Sequence, residues 1–181
     1  MSAPTVLVIL ADGFEEIEAV APIDILRRAG AAVTVAALGD GIHVRGRSGV
    51  TLHADAPLSA VSGSAYDCVV LPGGPGVEKL RADPRVAGLV REQCEANRWT
   101  AAICAAPVVL KDAGVLGGRR HTAHFSVAAE LPEALRGERA IADGPLITSR
   151  GAGTAVDFGL LIVEKLFSAE KASEIARSIC T

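Results

Sequence analysis

The stretch Ala101-Ala102-Ile103-Cys104-Ala105-Ala106-Pro107 decides the fold. A short apolar run over residues 100–103 leads into Cys104, and a helix-like segment over residues 105–113 follows at once. A run this short and apolar is typical of a strand that is buried on both faces of a parallel sheet. The pattern therefore predicts that Cys104 lies on the turn from strand to helix, at the carboxyl edge of the sheet, where open α/β sheets bind ligands.

Two interpretations of Cys104 follow from this placement. The amides of the first helical turn and the positive end of the helix dipole favour a thiolate over a thiol, which would make the sulfur reactive. The alternative is a buried core cysteine, which is the commoner fate of a free cysteine. The stretch by itself favours neither interpretation.

The composition indicates an ordinary globular chain, expected to form a single domain over residues 1–181. A length of 181 residues allows a proper core, and 50% of the residues are hydrophobic. The formal charge of −3, with no basic run, gives no basis for binding nucleic acid or an anionic membrane. Residues 1–4 lack a basic region, and the apolar run over residues 6–11 is too short for a signal peptide or a membrane span.

The cysteines are scattered and form no C-x-x-C pair. In a chain of this size the pattern favours reduced thiols and a cytoplasmic location over a disulfide framework or a zinc site. The four are Cys68, Cys94, Cys104 and Cys180.

Strand-like and helix-like segments alternate along the chain, which predicts an α/β fold with a doubly wound, mainly parallel sheet sandwiched by helices. A glycine-rich segment over residues 43–52 predicts a small β-hairpin outside the main sheet. Strands are predicted at residues 6–10, 32–38, 68–71, 100–103 and 146–149, with weaker signals at 119–123 and 139–142. Helices are predicted at residues 14–28, 81–98 with a break at Asp83-Pro84, 105–113, 153–167 and 169–179, and Ala29-Gly30 is predicted to end the first of them.

Helix geometry singles out Glu18 among the early glutamates. At about 100° per residue, Phe14, Ile17, Ala21 and Ile25 share one face, and Glu18 falls at the edge of that apolar stripe. An apolar setting raises the pKa of a carboxyl group, which could then donate a hydrogen bond to a thiolate or act as a general acid or base. The alternative is a capping or solvated glutamate. Its helix directly follows the first strand, so Glu18 is expected at the same sheet edge as Cys104.

The loop Pro72-Gly73-Gly74-Pro75-Gly76 follows a predicted strand at that edge. Glycines such as Gly73 and Gly74 let backbone amides approach a bound group closely. The amide of Gly74 could form an oxyanion hole with the amide of Ala105. The loop lacks the G-x-G-x-x-G and G-x-x-x-x-G-K-[ST] patterns of nucleotide sites. The alternative is a plain tight turn.

Histidine supplies the usual base for a cysteine nucleophile. His121 and His124 follow a weak strand, so either could reach the sheet edge, and spacing does not choose between them. No H-E-x-x-H pattern or His/Cys cluster indicates a metal site.

Taken together, these segments resemble the ThiJ/PfpI superfamily, and within it the short branch of Parkinson disease protein 7 and its bacterial relatives. Each match is weak alone, but the ordered set is specific and spans nearly the whole chain. The matching stretches are Val6-Leu7-Val8-Ile9-Leu10-Ala11 with Gly13, Glu15-Glu16-Ile17-Glu18, Arg27-Arg28-Ala29-Gly30, Val69-Val70-Leu71-Pro72-Gly73-Gly74, Ala101-Ala102-Ile103-Cys104-Ala105 and Leu146-Ile147-Thr148-Ser149-Arg150-Gly151.

The resemblance implies a flavodoxin-like fold of the class I glutamine-amidotransferase type, which works as a homodimer. It implies that Cys104 is a nucleophile on a strained elbow, Glu18 its protonated partner and His124 the nearby imidazole. Gly74 and Ala105 would supply the oxyanion amides. Implied activities are a glutathione-independent glyoxalase or deglycase acting on small aldehydes, or a redox sensor or holdase chaperone using Cys104 sulfinate. None of these requires a metal or bound cofactor.

The sequence departs from the family pattern at several positions. Ala106 stands where the branch often has glycine, and Ala152 replaces a common proline. Ser48 occupies the arginine position of the hairpin, with Arg47 one residue early, so an anion-holding role there is in doubt. Ala105 follows the cysteine where the peptidase-like branch has histidine, which disfavours protease chemistry.

Overall fold

The computed structural model describes residues 2–181, in which two sheets are formed by nine strands. In chain order these are β1 (Thr5–Leu10), β2 (Ala32–Ala37), β3 (His43–Arg45), β4 (Thr51–His53), β5 (Ala56–Pro57), β6 (Cys68–Leu71), β7 (Trp99–Ile103), β8 (Ala140–Asp143) and β9 (Leu146–Ser149). The main sheet has the order β5-β2-β1-β6-β7-β9-β8, and β3 pairs with β4 in a separate hairpin. Only β8 runs antiparallel to its neighbour in the main sheet.

Helices cover both faces of the main sheet. They are α1 (Glu16–Ala29), α2 (Leu58–Val61), α3 (Val77–Ala82), α4 (Pro84–Glu95), α5 (Pro107–Asp112), α6 (Ala155–Leu166) and α7 (Ala169–Ser178). Two 3₁₀ turns, Phe125–Val127 and Ala152–Thr154, lie in the connections after α5 and β9. No helix among residues 2–181 combines the length and the apolar character needed to cross a bilayer.

The core has two halves because successive residues of a strand point to opposite faces. In β1, Val6 and Val8 pack with α1, α6 and α7, whereas Leu7 and Ile9 pack with α3, α4 and α5. The strand is therefore apolar at nearly every position, as expected for a parallel strand covered on both faces. The predicted doubly wound α/β sandwich, including its hairpin excursion, is confirmed.

The predicted strand over residues 119–123 is wrong. This segment is extended but joins no sheet, because side chains of the β8–β9 edge satisfy its backbone amides. Thr122 N donates to Thr148 Oγ1 at 2.9 Å, and Arg120 N donates to Asp143 Oδ2 at 2.8 Å. The predicted break at Asp83-Pro84 is confirmed, because α3 and α4 meet at Asp83, whose side chain accepts from Arg85 N and caps α4. The helical region begins earlier than predicted, at Val77, and ends at Glu95.

The predicted apolar face of α1 is also wrong in one respect. Ile17 is 55% exposed, while Glu18 is 1% exposed and lies within the buried face. The helix begins at Glu16, and the backbone of Glu15 before it is extended. The helical spacing of about 100° per residue therefore cannot be counted from Phe14, which lies outside the helix. Gly30 ends α1 in the left-handed conformation, with φ of 95°, as the sequence predicts.

Candidate active site

Cys104 lies on the tight turn between β7 and α5, at the carboxyl edge of the sheet. Its φ of 67° is left-handed, a conformation that costs a non-glycine residue about 1–3 kcal/mol. Two backbone hydrogen bonds hold this conformation: Cys104 N donates to Ser149 O at 2.9 Å, and His124 N donates to Cys104 O at 2.8 Å. The residue as a whole is half-buried.

Glu18 faces Cys104 from the first turn of α1. Its Oε2 accepts a hydrogen bond from Gly73 N at 3.0 Å, and the Cys104 side chain beside it lowers the pKa of its carboxyl group. The Glu15 side chain accepts from Glu18 N at 2.9 Å and caps the helix at this point. The carboxyl group thus enters the site from a rigid helix end rather than from a loop.

Glycines allow the loop after β6 to approach both groups. A Cβ atom on Gly73 would lie 2.5 Å from Glu18 Oε2 and 2.6 Å from Cys104 Cβ. Gly74 has φ of 92°, and a Cβ atom there would lie 2.5 Å from Gly13 O. The amides of Gly74 and Ala105 both face the Cys104 sulfur and lower the pKa of its thiol. The two amides that the sequence singles out therefore converge on the sulfur, in an arrangement suited to an oxyanion.

The charge state of the site follows from burial. Loss of solvent raises the pKa of Glu18 to about 7, even though hydrogen bonds from Cys104 and Gly73 oppose the shift. Burial first, and then the negative charge of Glu18, raise the pKa of the Cys104 thiol. Because ionised Glu18 raises the pKa of the thiol, one proton remains between the two groups above about pH 7.

Backbone amides favour the thiolate, as the sequence predicts, but they do not decide the charge of the sulfur. The amides of Ala105 and Gly74 do lower the pKa of Cys104, but burial and Glu18 outweigh them. Helix α5 has only six residues and begins at Pro107, beyond the turn. A thiolate can form at neutral pH only when Glu18 keeps the remaining proton.

The structure brings His124, and not His121, to Cys104. A Cβ atom built on Gly151 would lie 3.4 Å from His124 Cδ2 and 4.0 Å from Cys104 Sγ, so the imidazole and the sulfur border the same gap. Ser126 N donates to His124 Nδ1 at 3.2 Å, which leaves the proton of the neutral ring on Nε2.

His121 lies in a different place. It is 5% exposed, its Nδ1 is 2.9 Å from Arg119 O, and it lines a separate cavity with Lys111 and Glu130. The segment that carries His124 is tied to the helices by Arg81, which donates to Asp112 and Glu130 at 2.6 Å and 2.8 Å.

The departures from the family pattern have visible consequences. The methyl group of Ala106 is fully buried among apolar side chains of the α3–α5 half of the core. The amide of Ala152, which a proline would lack, lowers the pKa of Glu18. Ser48 binds Glu16 through its backbone amide at 2.7 Å, and Arg47 is exposed.

A cavity that the sequence analysis missed opens beside His124 and Gly151. It has a volume of about 620 Å³, and three arginines line it: Arg136, Arg139 and Arg150. Arg150 directly follows β9, and this position after a predicted strand could have placed it at the carboxyl edge of the sheet from the sequence alone. Arg139 directly precedes β8, at the start of a segment with only a weak strand signal, and Arg136 lies in the irregular segment before it, where no pattern locates a side chain. No cluster of three potential metal ligands occurs among residues 2–181.

The raised pKa of Glu18 predicts that stability falls as pH rises. The folded state binds the proton up to about pH 7, whereas the unfolded carboxyl loses it near 4.5, so ionisation costs the folded state about 3 kcal/mol between these values. Glu18→Gln keeps the shape without the charge. Its free energy of unfolding, relative to the unmodified protein, should rise by about that amount from the lower pH to the upper.

Urea unfolding at a series of pH values measures this difference. Glu95→Gln, at the exposed end of α4, is the matched control and should show no such trend. A difference between Glu18→Gln and the unmodified protein that stays constant with pH would contradict the assignment.

Comparisons with known proteins agree with this geometry. Residues 4–165 match the DJ-1/PfpI family. Protein DJ-1 homolog B of Arabidopsis thaliana is 42% identical over 178 residues, which cover 97% of this chain and 41% of that protein. The chain thus spans less than half the length of the Arabidopsis relatives it matches.

Two further proteins are similar over nearly their full length. Glutathione-independent glyoxalase DJR-1.2 of Caenorhabditis elegans is 33% identical over 92% of this chain and 90% of that protein. The structure of oxidized Toxoplasma gondii DJ-1 superposes with a TM-score of 0.94 at 37% identity and covers 98% of both chains. By both sequence and structure, this chain belongs to the DJ-1/PfpI family.

Proposed function

We propose that this chain is a cysteine-dependent enzyme that acts on small 2-oxoaldehydes or their adducts, of the glutathione-independent glyoxalase or deglycase type. The observation that carries the proposal is the Cys104 sulfur on its left-handed turn, facing a buried carboxyl group with a pKa of about 7. Such a pKa suits a group that gives and takes protons at neutral pH. The name of the Caenorhabditis elegans relative supports the same reaction class.

The first step forms a bond between the Cys104 sulfur and the aldehyde carbon. Glu18 takes the thiol proton, the sulfur supplies the electron pair, and the carbonyl oxygen then receives the proton from Glu18, which gives a hemithioacetal. The amides of Gly74 and Ala105, which already face the sulfur, stabilise the negative charge on the oxygen during the addition.

The second step moves hydrogen from the first carbon to the second. Ionised Glu18 removes the proton from the former aldehyde carbon, and the electron pair forms an enediol with the neighbouring carbonyl. Glu18 then returns a proton to the second carbon, while His124 carries the hydroxyl proton from the first oxygen to the second. One carbon is oxidised and the other reduced, so no external oxidant is needed.

The last step releases a 2-hydroxy acid. The rearranged adduct is a thioester of Cys104, and water adds to its carbonyl carbon. The carbon–sulfur bond breaks, and the electron pair returns to the sulfur as thiolate. For methylglyoxal the product is lactate.

A redox sensor or holdase is the second candidate. The sulfur of the half-buried Cys104 faces two amides and a carboxyl group that could hydrogen-bond to sulfinate oxygens. The similar Toxoplasma gondii structure is of an oxidized protein. The same residues serve both functions, so the test has to measure turnover and oxidation together.

The enzyme proposal predicts that Cys104→Ser abolishes lactate formation from methylglyoxal. Glu18→Ala should lower kcat by at least about 10²-fold, because a positioned proton shuttle contributes about 10²–10⁴-fold. Cys94→Ser, at a half-buried cysteine of α4, is the control and should retain turnover.

Full turnover of methylglyoxal by Cys104→Ser would contradict the enzyme proposal. Intact mass after mild peroxide, measured on the same samples, separates the candidates. Rapid addition of two oxygens at Cys104 with negligible turnover would favour the sensor.

We also propose that the chain forms a homodimer through α1 and the hairpin. Ile17 and Val20 of α1 and Val50 of the hairpin are exposed large hydrophobic side chains. Glu16 joins the two elements, because its Oε1 accepts from Ser48 N at 2.7 Å and from Val50 N at 3.4 Å. A second copy of this chain would remove the three apolar side chains from water.

Sedimentation velocity tests the homodimer. Ile17→Glu should shift the protein to monomer, because it places a charge in the apolar contact. Phe125→Glu changes an exposed hydrophobic residue elsewhere and should leave the dimer intact. A monomeric unmodified protein would contradict the proposal, as would a dimer that Ile17→Glu does not weaken.

A further inference from the structure

The arginine-lined cavity beside Cys104 has no role in the mechanism above. It shares His124, Gly151 and Ala152 with the site, while Cys104 itself lies just outside its lining. Gly151 lies between the cavity and the Cys104 site, because a Cβ atom built on it would be close to both the Cys104 sulfur and the His124 imidazole. A molecule whose aldehyde reaches Cys104 past Gly151 would therefore extend into this cavity.

The charge of the lining is one-sided. Three of its side chains are arginines and none is acidic, although the whole chain has a formal charge of −3. Arg139 is paired with Asp157 at 2.8 Å. Within residues 2–181, neither Arg136 nor Arg150 forms an ion pair with a carboxylate.

Arg150 is also held in place. Its Nη1 donates to the Arg136 carbonyl oxygen at 3.0 Å, which leaves its other N–H groups unused by protein. Two guanidinium groups without acidic partners, in a concave site, suit a carboxylate or a phosphate, which each can bind through two parallel hydrogen bonds.

The volume of the cavity also indicates a substrate larger than methylglyoxal. A cavity of about 620 Å³ is close to twenty times the roughly 30 Å³ that one water molecule takes up in the liquid. Methylglyoxal has five non-hydrogen atoms and would leave most of it empty. The remaining walls, formed by Phe125, Ala128, Leu131 and Ala134, are apolar and suit a short hydrocarbon or peptide body.

We infer that the substrate carries a terminal oxyanion, a carboxylate or a phosphate, which Arg136 and Arg150 bind while the opposite end of the molecule reaches Cys104. The inference rests on the proposed function and narrows its substrate class to anionic 2-oxoaldehydes or their adducts. Arg136 and Arg150 are then specificity-determining residues, and the neutral methylglyoxal is a poor substitute for the substrate.

The test compares three aldehydes: methylglyoxal, the carboxylate 4,5-dioxopentanoate and the phosphate ester 3-phosphooxy-2-oxopropanal. The unmodified protein should show kcat/KM at least about tenfold higher for one or both anionic compounds, the expected scale for a charged hydrogen bond. Whichever of the two is preferred identifies the oxyanion. Arg136→Gln should lower the ratio of anionic to neutral kcat/KM by about tenfold, and Arg150→Gln by a similar factor.

Arg177→Gln, on the exposed face of α7, is the matched control and should leave the ratio unchanged. Added salt should reduce the ratio in the unmodified protein, because it screens an exposed guanidinium. Equal kcat/KM for the three aldehydes would overturn the inference, and so would a preference that both arginine variants retain.

A binding measurement separates this inference from the proposed function. Cys104→Ser is titrated calorimetrically with glutarate and with inorganic phosphate, neither of which reacts. Saturable binding that Arg136→Gln weakens about tenfold would support the anion site even if no aldehyde is turned over. Absence of binding by both ions, with methylglyoxal turnover intact, would overturn the anion site and leave the proposed function standing.

Discussion

The contact between the Cys104 sulfur and the Glu18 carboxyl group is the constraint on which the site depends. Burial raises the pKa of both groups, and Glu18 raises the pKa of the Cys104 thiol further. Two negative charges at this separation are too costly, so a proton has to stay between them. Four backbone amides influence which of the two groups keeps the proton. The amides of Gly73 and Ala152 act on the carboxyl group, and those of Gly74 and Ala105 act on the sulfur.

The fold brings these groups together because β1, β6, β7 and β9 are parallel neighbours that end at one edge. Each contributes through the loop that follows it: Glu18 after β1, the glycines after β6, Cys104 after β7 and Gly151 after β9. The close approach of these loops requires residues without side chains, since a Cβ atom on Gly73 would overlap both reactive groups. Backbone strain at Cys104 is tolerated because β9 and the His124 segment fix it from both sides.

Much of this arrangement follows from local sequence. Apolar runs such as residues 68–71 predict buried strands, and glycine after residue 29 predicts the end of α1, so the sheet edge and its loops could be placed in advance. Sequence could not place Ile17, because the start of α1 depends on the Glu15 cap. Nor could it choose His124 over His121, since residues 119–123 are held by side-chain hydrogen bonds from β8 and β9. Arg136 belongs to an irregular connection, where only tertiary contacts decide the position of a side chain.

The central claim is that Glu18 loses its proton near pH 7, while the buried Cys104 thiol beside it keeps its own until it passes the proton to Glu18 during reaction. The ultraviolet absorbance of the thiolate tests this directly, when it is recorded against pH and the signal of Cys104→Ser is subtracted. We predict that Cys104 thiolate appears only above the ordinary thiol pKa of about 8.5, because burial and ionised Glu18 raise the pKa of the thiol. A thiolate signal with a midpoint near pH 7 would place the shared proton on Glu18 and contradict this claim.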